Sequence, residues 1–360
     1  MSFLNGLKSA RQRPRRLVPL RPSCWSRPLS SSRPTFSQAA SIYVSESHDP
    51  WFNLAFEDWL FRKTDPEQKI LYMYRNSPSV IIGRNQNPWK EINLARLREL
   101  DIPFVRRKSG GGTVYHDLGN TNYCVFVPRT EFDRKTNAEL VVRGLQKLDL
   151  AAYVSGSAFK LVNKRAYHHG TMLIDAKLGD LRGVLGSQRD SMVTKGVASV
   201  PSPVQNLREF SAAVDHEQFV QVVADEFAAA YGLSRDIKAS LRVDASEADR
   251  NEYVRAVVEE LKSWEWQYGQ TPEFTHVIAG TLSFGPLEMT IQSRHGLITH
   301  AELTRAPPEE WRVAAPELCE LMVGDRYETL ERTRETVEQG GPPQHRERMS
   351  EVIEWLQREM

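Results

Sequence analysis

The residues best suited to chemistry lie in one run of the chain, from Val105 to Asp117. Three consecutive glycines, Gly110–Gly112, form a backbone that can adopt positive φ and lie closely against a bound group. The basic residues Arg106–Lys108 precede them, and Ser109 adds a hydroxyl. Cations and backbone N–H groups together favour an anion, such as a phosphate or a carboxylate.

Strand-like patterns flank this run, at 102–105 before it and at 113–115 and 123–127 after it. Walker and Rossmann glycine loops open a helix instead, so neither of those motifs is present. Three glycines are often an ordinary turn. The Arg-Arg pair before them and His-Asp after them favour a functional loop.

Three other segments have residues that suit a ligand site, each with a structural alternative. The polar loop 83–88 contains Arg84, which suits either the rim of a site or a plain turn. The small residues Ser155–Ala158 would let the backbone approach a ligand, and they equally suit a tightly packed strand. The pair His168 and His169 lacks a nearby cysteine or carboxylate cluster, which is typical of hydrogen-bonded core or surface histidines rather than metal ligands.

Hydrophobic periodicity predicts the elements that hold these residues. Asp49 is an N-cap type residue and Pro50 suits a first helical position, so a helix is expected to begin there, apolar enough to be buried. The last third of the chain has the pattern of a separate small α+β domain. Strands are predicted at 70–74, 80–82, 277–284, 287–291 and 297–303, and helices at 94–100, 137–148, 215–231, 246–262, 316–322, 327–337 and 345–356.

Length and composition indicate a soluble globular protein with a large and a smaller domain. The chain has 360 residues, of which 40% are hydrophobic and 26% charged. No stretch approaches the roughly 18 apolar residues of a membrane span.

Positive charge is concentrated at the N-terminus, where residues 1–45 contain eight Lys or Arg and no Asp or Glu. The remainder has 39 basic and 46 acidic residues, which argues against a nucleic-acid partner. The Arg- and Ser-rich leader, residues 1–40, predicts a mitochondrial transit peptide, and a disordered basic tail is the alternative. Outside it only Cys124 and Cys319 remain, too far apart in sequence for a disulfide framework or a zinc motif, which fits the reducing matrix.

The run from Arg106 to Asp117 resembles the Arg-Arg-x-Ser-Gly-Gly-Gly-x-Val-x-His-Asp signature of the lipoate–protein ligase A family. The resemblance extends over residues 41–360, because other segments resemble the family in its order. These segments are Trp51–Ala55, Ile82–Lys90, Val154–Ala158, His168–Thr171 and Trp264–Gly269.

This resemblance implies an α/β (α+β) fold: a large domain with mixed β-sheets at 41–276, shared with biotin–protein ligases, and a small α+β domain at 277–360. It also implies an enzyme that activates lipoate with ATP and Mg²⁺ to lipoyl-AMP. The lipoyl group would pass to a lysine of lipoyl domains, in E2 subunits of 2-oxoacid dehydrogenases and the glycine-cleavage H protein. We expect a monomer that binds lipoate or octanoate, without a nucleic-acid or membrane partner.

The resemblance further implies which residues bind ATP and the lipoyl adenylate. Positive charge and N–H donors there would reduce the repulsion between a carboxylate and the α-phosphate. The implied residues are Arg84, Arg107, Gly111, Gly112, Thr113, Val114, Tyr115, His116, Asp117, Ser155, Gly156, Ser157, Ala158, His168, His169 and Gly170.

One part of the family pattern is missing. The family has a β-hairpin that ends in a lysine directly before Val154, and here Tyr153 occupies that position. Tyrosine is neutral near pH 7, so the catalytic residue is unknown. Three explanations are open: a missing stretch of coding sequence, transfer of a pre-activated acyl group from acyl-CoA or acyl-AMP, or a non-catalytic relative that binds lipoyl domains. In each case the strand after the gap is expected to lose a neighbour, or the helix before it to shorten.

Overall fold

The computed structural model describes residues 40–150, 156–181, 183–186, 189–233, 240–305, 311, 314–340 and 343–360. The predicted leader therefore lies outside the described residues except for Ala40, where the first strand begins. Tyr153 and Ser155 lie outside them as well.

The first helix begins where the sequence predicts. The Asp49 carboxylate accepts the N–H groups of Trp51 and Phe52 at 2.8 and 3.2 Å, and Pro50 occupies the first turn. The helices are α1 (Pro50–Lys63), α2 (Pro88–Glu91), α3 (Leu94–Glu99), α4 (Arg134–Gln146), α5 (His216–Tyr231), α6 (Glu247–Arg250), α7 (Glu252–Lys262), α8 (Trp264–Gln267), α9 (Ala314–Met322), α10 (Glu331–Gly340) and α11 (Pro343–Glu359).

The strands of the described residues form three sheets, of six, four and three strands. In chain order they are β1 (Ala40–Ser45), β2 (Lys69–Tyr74), β3 (Ser79–Ile82), β4 (Phe104–Arg106), β5 (Val114–His116), β6 (Asn120–Pro128), β7 (Gly156–Leu161), β8 (Arg165–Leu173), β9 (Met192–Thr194), β10 (Leu241–Val243), β11 (Phe274–Leu282), β12 (Gly285–Arg294) and β13 (Leu297–Leu303).

Parallel and antiparallel pairs occur together in two of these sheets. The six-stranded sheet has the order β10-β1-β2-β6-β8-β7, with β10, β1 and β2 parallel and the remaining pairs antiparallel. The three-stranded sheet has the order β4-β3-β5, with β3 parallel to β4 and antiparallel to β5. The four-stranded sheet β13-β12-β11-β9 is antiparallel throughout. The expected mixed α/β fold with mixed sheets is thus confirmed.

Each face of the six-stranded sheet has its own helices. Val125 on β6 packs with α4 and α5, in a core that includes Leu140 and Phe219. Its neighbour Cys124 points the other way and packs with α1 and α7, in a core that includes Phe56 and Val257. Successive strand residues alternate between faces, so these two cores tell which face any residue of β6, β7 or β8 occupies.

A third core joins the four-stranded sheet to the glycine-run side of the protein. It includes Val80 and Trp89 as well as Ile291 and Leu356. The boundary predicted at residue 276 falls inside β11. The division into a large and a small domain stays a prediction.

Strand β7 lies at the edge of its sheet. Among the described residues it pairs with β8 alone, and α4 ends at Gln146. Phe159 and Leu161 on β7 are 41% and 40% exposed. Such an edge is the arrangement expected when the family hairpin is missing.

No helix in the described part of the chain is long and apolar enough to cross a membrane.

Candidate functional site

The glycine run lies in the loop that connects β4 to β5. These two strands flank β3 in the three-stranded sheet, so the predicted strand–loop–strand arrangement is confirmed. Gly111 has φ +93°, as expected for a glycine that allows a left-handed turn. A Cβ at Gly83 would lie 2.0 Å from the carbonyl oxygen of Gly111, so the two loops touch through their backbones. A Cβ at Gly110 would meet nothing within 4 Å, so the loop is open there.

Arg106 is fully buried and bonds the loop 83–88 to the end of α8 and to the segment after it. Its guanidinium donates to the carbonyl oxygens of Arg84 and Gln86 at 2.9 and 2.7 Å, and to that of Gln267 at 2.7 Å. It also donates to the Thr271 hydroxyl at 3.0 Å. This arginine is therefore a structural crosslink.

Arg107 is buried under the glycine run and hydrogen-bonds to its backbone. Its guanidinium donates to the carbonyl oxygens of Gly110 and Gly112 at 2.7 and 2.8 Å, to that of Ile81 at 3.1 Å, and to Ser109 Oγ at 3.1 Å. Burial lowers the pKa of Arg107 to about 10, so it stays charged at neutral pH. The predicted cation thus lies at the loop, with its donors directed to the protein's own carbonyl and hydroxyl oxygens.

A segment distant in sequence covers the end of the loop. Ser199 Oγ accepts the Thr113 N–H at 3.0 Å, and the Thr113 hydroxyl donates to Gln86 at 3.0 Å. Glu91 accepts both the N–H and the hydroxyl of Ser199 at 3.0 and 2.5 Å. Ser199 and Glu91 were not predicted from the sequence, because Ser199 lies 86 positions after Thr113 and 108 positions after Glu91, and no sequence pattern links such distant residues.

The residues at the end of the signature anchor the loop. Asn76 donates to His116 Nδ1 at 2.9 Å, and burial, Arg107 and His169 lower the pKa of His116 to about 3. The Asp117 carboxylate accepts the N–H groups of Gly119 and Lys177, both at 2.8 Å. His116 is therefore neutral, and Asp117 closes a turn.

The remaining implied residues near the loop lie on β5 and in the loop 83–88. Val114 and Tyr115 belong to β5, where they pair with Ile81 and Val80. The N–H of the exposed Arg84 donates to the Ser109 carbonyl oxygen at 2.8 Å, and its guanidinium lies 5.6 Å from the Trp266 ring centre. Arg84 is therefore exposed beside the glycine run, and its place at the rim of a ligand site stays a prediction.

Strand alternation divides the residues implied on β7 and β8 between two faces. Ala158 pairs with His169, which pairs with Cys124, so these three share the α1 face. Gly111 belongs to the same neighbourhood, because a Cβ there would lie 3.4 Å from Ala158 Cβ. Gly156 pairs with Thr171 and shares that face.

Ser157, His168 and Gly170 face the other way, toward α4 and α5. A Cβ at Gly170 would collide with the Tyr123 hydroxyl at 2.4 Å, so this glycine is required for packing. His168 is 2% exposed, and neither of its ring nitrogens has a hydrogen-bond partner among the described residues. Of the two histidines, only His169 lies beside the glycine run.

The ring of His168, which has no hydrogen-bond partner among the described residues, predicts a stability effect. Burial, His169 and Arg134 lower its pKa from 6.5 to about 4. Between pH 6.5 and 4, His168 is therefore protonated in the unfolded chain and neutral in the folded chain. Lowering the pH through this range destabilises the fold. We expect His168→Leu to raise the free energy of unfolding by about 1 kcal/mol at pH 7. The gain should grow by up to about 3 kcal/mol as the pH falls from 6.5 to 4.

Urea unfolding at pH 7 and pH 5 measures this difference, with the exposed His300→Leu as the control. Equal pH dependence for His168→Leu and the parent protein would show that the ring is satisfied.

Two residues that sequence reasoning missed lie on the α1 face. Glu57 is 4% exposed, and the Tyr74 hydroxyl donates to it at 3.1 Å. His169 Nδ1 lies 3.3 Å from Glu57 Oε1, and its Nε2 lies 3.2 Å from Ser109 Oγ. The available signal was the acidic pair Glu57 and Asp58 inside a mostly apolar helix.

The second missed residue is Lys160 on β7. Its ammonium is buried without a hydrogen-bond partner among the described residues, 4.0 Å from Asp58 Oδ1. Asp58 already accepts from Arg62 at 2.9 Å and from the Tyr253 hydroxyl at 2.8 Å. Burial lowers the pKa of Lys160 to about 8, even though Asp58 raises it. A buried ammonium with unused donors is the environment that an anionic ligand would complete.

No group of three or more His, Cys, Asp or Glu side chains in the described ranges is arranged to hold a metal ion.

Known proteins share both the sequence pattern and the fold. The lipoyl protein ligase A/B catalytic domain matches residues 49–228. P. falciparum LipL1, solved in complex with lipoate, is 24% identical with a TM-score of 0.55, over 89% of this chain and 99% of that chain.

Two further structures cover a smaller share of this chain. One is the bipartite lipoate protein ligase of Thermoplasma acidophilum with its E2 lipoyl domain (22% identity, TM-score 0.50, 63% of this chain and 94% of that chain). The other is a lipoate-protein ligase A bound with ATP (22% identity, TM-score 0.50, 63% of this chain and 97% of that chain). These three similarities concern the fold. Because the catalytic-domain match spans half of the 360 residues, this chain belongs to the lipoyl protein ligase A/B family.

Proposed function

We propose that this protein is a lipoate–protein ligase, which activates lipoate with ATP and transfers the lipoyl group to a lysine of a lipoyl domain. The observation that carries the proposal is the buried Lys160 ammonium, which has no hydrogen-bond partner among the described residues and lies on the same sheet face as Ala158 and His169. The lipoate carboxylate and the ATP phosphates are both anionic, so their approach requires fixed positive charge. Lys160 and Arg107 supply it, with Arg84 at the rim.

The glycine run suits the nucleotide. Gly110 leaves its backbone open, and Arg107 holds the neighbouring carbonyl groups away from an incoming phosphate. Mg²⁺ would be held chiefly by the ATP phosphates and water, as this ion prefers, and would neutralise phosphate charge. The structure of a relative bound with ATP supports the assignment of this cofactor.

A second candidate is a lipoyl or octanoyl transferase that uses acyl-CoA or acyl-AMP. It is favoured by Tyr153 in the position of the family lysine, and by β7 lying at the sheet edge. A transferase site needs less positive charge, because a pre-activated donor removes the step in which a free carboxylate approaches a phosphate.

The acceptors that we propose are the lipoyl domains of 2-oxoacid dehydrogenase E2 subunits and the glycine-cleavage H protein, in the mitochondrial matrix. The acid-free leader supports this location, and the relative solved with its E2 lipoyl domain supports the partner class.

Intact mass of an apo lipoyl domain after incubation with the protein tests the proposal. One tube contains lipoate, ATP and Mg²⁺, a second lipoyl-AMP, and a third lipoyl- or octanoyl-CoA. We expect the lipoyl adduct in the first two tubes, with multiple turnover. Adduct from the pre-activated donors alone would select the transferase. The absence of adduct in every tube would leave only a binding role, which calorimetry with the lipoyl domain would measure.

A further inference from the structure

We propose that Ser109, His169 and Glu57 form a proton relay, which removes the proton of the attacking lysine amine during acyl transfer. The relay rests on the proposed function, since it needs an activated acyl donor and an amine acceptor. It gives Ser109 the catalytic contact, and it makes His169 and Glu57 positioning residues that act through Ser109.

Three separate elements bring the relay together. Glu57 comes from α1, His169 from β8, and Ser109 is the residue directly before the glycine run. His169 Nδ1 lies 3.3 Å from Glu57 Oε1, and Nε2 lies 3.2 Å from Ser109 Oγ. The Tyr74 hydroxyl donates to the other oxygen of Glu57 at 3.1 Å, which fixes this carboxylate.

These contacts assign the direction of each hydrogen bond. A carboxylate can only accept, so His169 carries its proton on Nδ1 and presents Nε2 as an acceptor. Arg107 Nε donates to Ser109 Oγ at 3.1 Å and thus uses one lone pair of this oxygen. The Ser109 hydroxyl proton is then directed toward His169 Nε2. The Tyr167 side chain also hydrogen-bonds to Ser109, so an incoming N–H has to take the place of Tyr167 at Oγ.

Charged groups surround His169 on several elements. The Glu57 carboxylate on α1 contacts Nδ1, the Arg107 guanidinium donates to Ser109 from beneath the loop, and the Lys160 ammonium lies on the same face of the neighbouring strand β7. His116 on β5 is neutral, and the ring of Tyr167 on β8 lies edge-on at 5.2 Å. His168, the adjacent residue, faces the other side of the sheet and is neutral as well.

The transfer step balances as follows. The neutral lysine amine attacks the acyl carbonyl carbon, so an N–C bond forms, and the bond from carbon to the donor's oxygen or sulfur breaks. The amine proton passes to Ser109 Oγ while the Ser109 proton passes to His169 Nε2. The donor leaves as AMP or as the CoA thiolate, and the imidazolium beside Glu57 later returns its proton to solvent.

Single-turnover transfer to an apo lipoyl domain, from the donor that the parent protein uses, tests the relay between pH 6 and 9. General-base groups contribute about 100-fold or more, so we expect His169→Ala to slow transfer by about this factor at pH 7. Added imidazole should restore part of the rate. Ser109→Ala should cause a similar loss that imidazole does not restore. Glu57→Gln should slow transfer less and shift the pH profile.

Two further variants separate this role from a structural one. His169→Gln keeps an amide for hydrogen bonding and cannot take up a proton, so it should fold and still lose the rate. His276→Ala is the matched control, since His276 is buried and has its Nδ1 2.6 Å from the Tyr327 hydroxyl, on β11 and outside the relay. It should lose stability without responding to imidazole.

Parent-like transfer by His169→Gln would overturn the relay and leave the proposed function standing. The relay would also be overturned if His169→Ala transfers slowly, imidazole does not restore its rate, and its pH profile matches that of the parent protein. If the parent protein transfers from no donor, both the proposed function and the relay fail.

Discussion

Replacing Lys160 with methionine is expected to make the fold more stable and acyl transfer slower. Methionine keeps most of the apolar length of lysine and removes an ammonium that is buried without a hydrogen bond among the described residues. Loss of this cation should lower ligation by about 100-fold, comparable to removal of one preorganised electrostatic contact at a reacting group. Lys160→Arg, which keeps the charge, should retain more activity than Lys160→Met.

The stability gain of Lys160→Met should depend on pH in a defined direction. Burial lowers the pKa of Lys160 from 10.5 to about 8, so the folded chain binds fewer protons than the unfolded chain between these values. The destabilisation caused by the buried Lys160 charge is therefore complete below pH 8 and disappears as the pH rises toward 10.5. The two pKa values correspond to a gain of about 3 kcal/mol at pH 7.

Urea unfolding at pH 7 and pH 10, together with the mass assay, measures both effects. Lys164→Met is the matched control, since Lys164 lies in the connection that follows β7 and is exposed. A variant that is less stable than the parent at pH 7, or as active, would show that Lys160 is already paired in the folded protein.

Replacing Arg106 with methionine is expected to cause the largest loss of stability. The side chain is fully buried, and its guanidinium serves three carbonyl oxygens and the Thr271 hydroxyl. Removing it leaves two buried and two partly buried acceptors without this donor, at roughly 1 kcal/mol each, so the free energy of unfolding should fall by about 4 kcal/mol. Arg106→Lys should recover little of it, because an ammonium cannot reproduce the planar fork of donors.

Chemical denaturation measures this loss, and the exposed Arg242→Met provides the control. The contrast with Arg107 is informative, since Arg107→Met should disturb the glycine run more than the whole fold. A loss below 1 kcal/mol for Arg106→Met would mean that water replaces the guanidinium and that the crosslink contributes little.

Short-range chemistry was readable in the sequence. Asp49 and Pro50 determine where α1 begins, because a cap acts on the next three residues alone. The glycines between two strand patterns predicted a loop with positive φ, and Gly111 has it. The ordered motifs predicted the family, which the catalytic-domain match shows. Each of these features depends on residues that are neighbours in the chain.

The composition of the site was decided by tertiary structure. Alternation predicts that His168 and His169 face opposite ways, but only the packing of α1 against the sheet determines that His169 faces the glycine run. Glu57 and Lys160 join the site through contacts across the fold, as Ser199 does across more than a hundred residues of chain. The adjacent arginines have different roles for the same reason: carbonyl groups from distant loops surround Arg106, and those of the glycine run surround Arg107. Such long-range contacts leave no periodic pattern in the sequence, because they depend on how separate elements pack rather than on local backbone preferences.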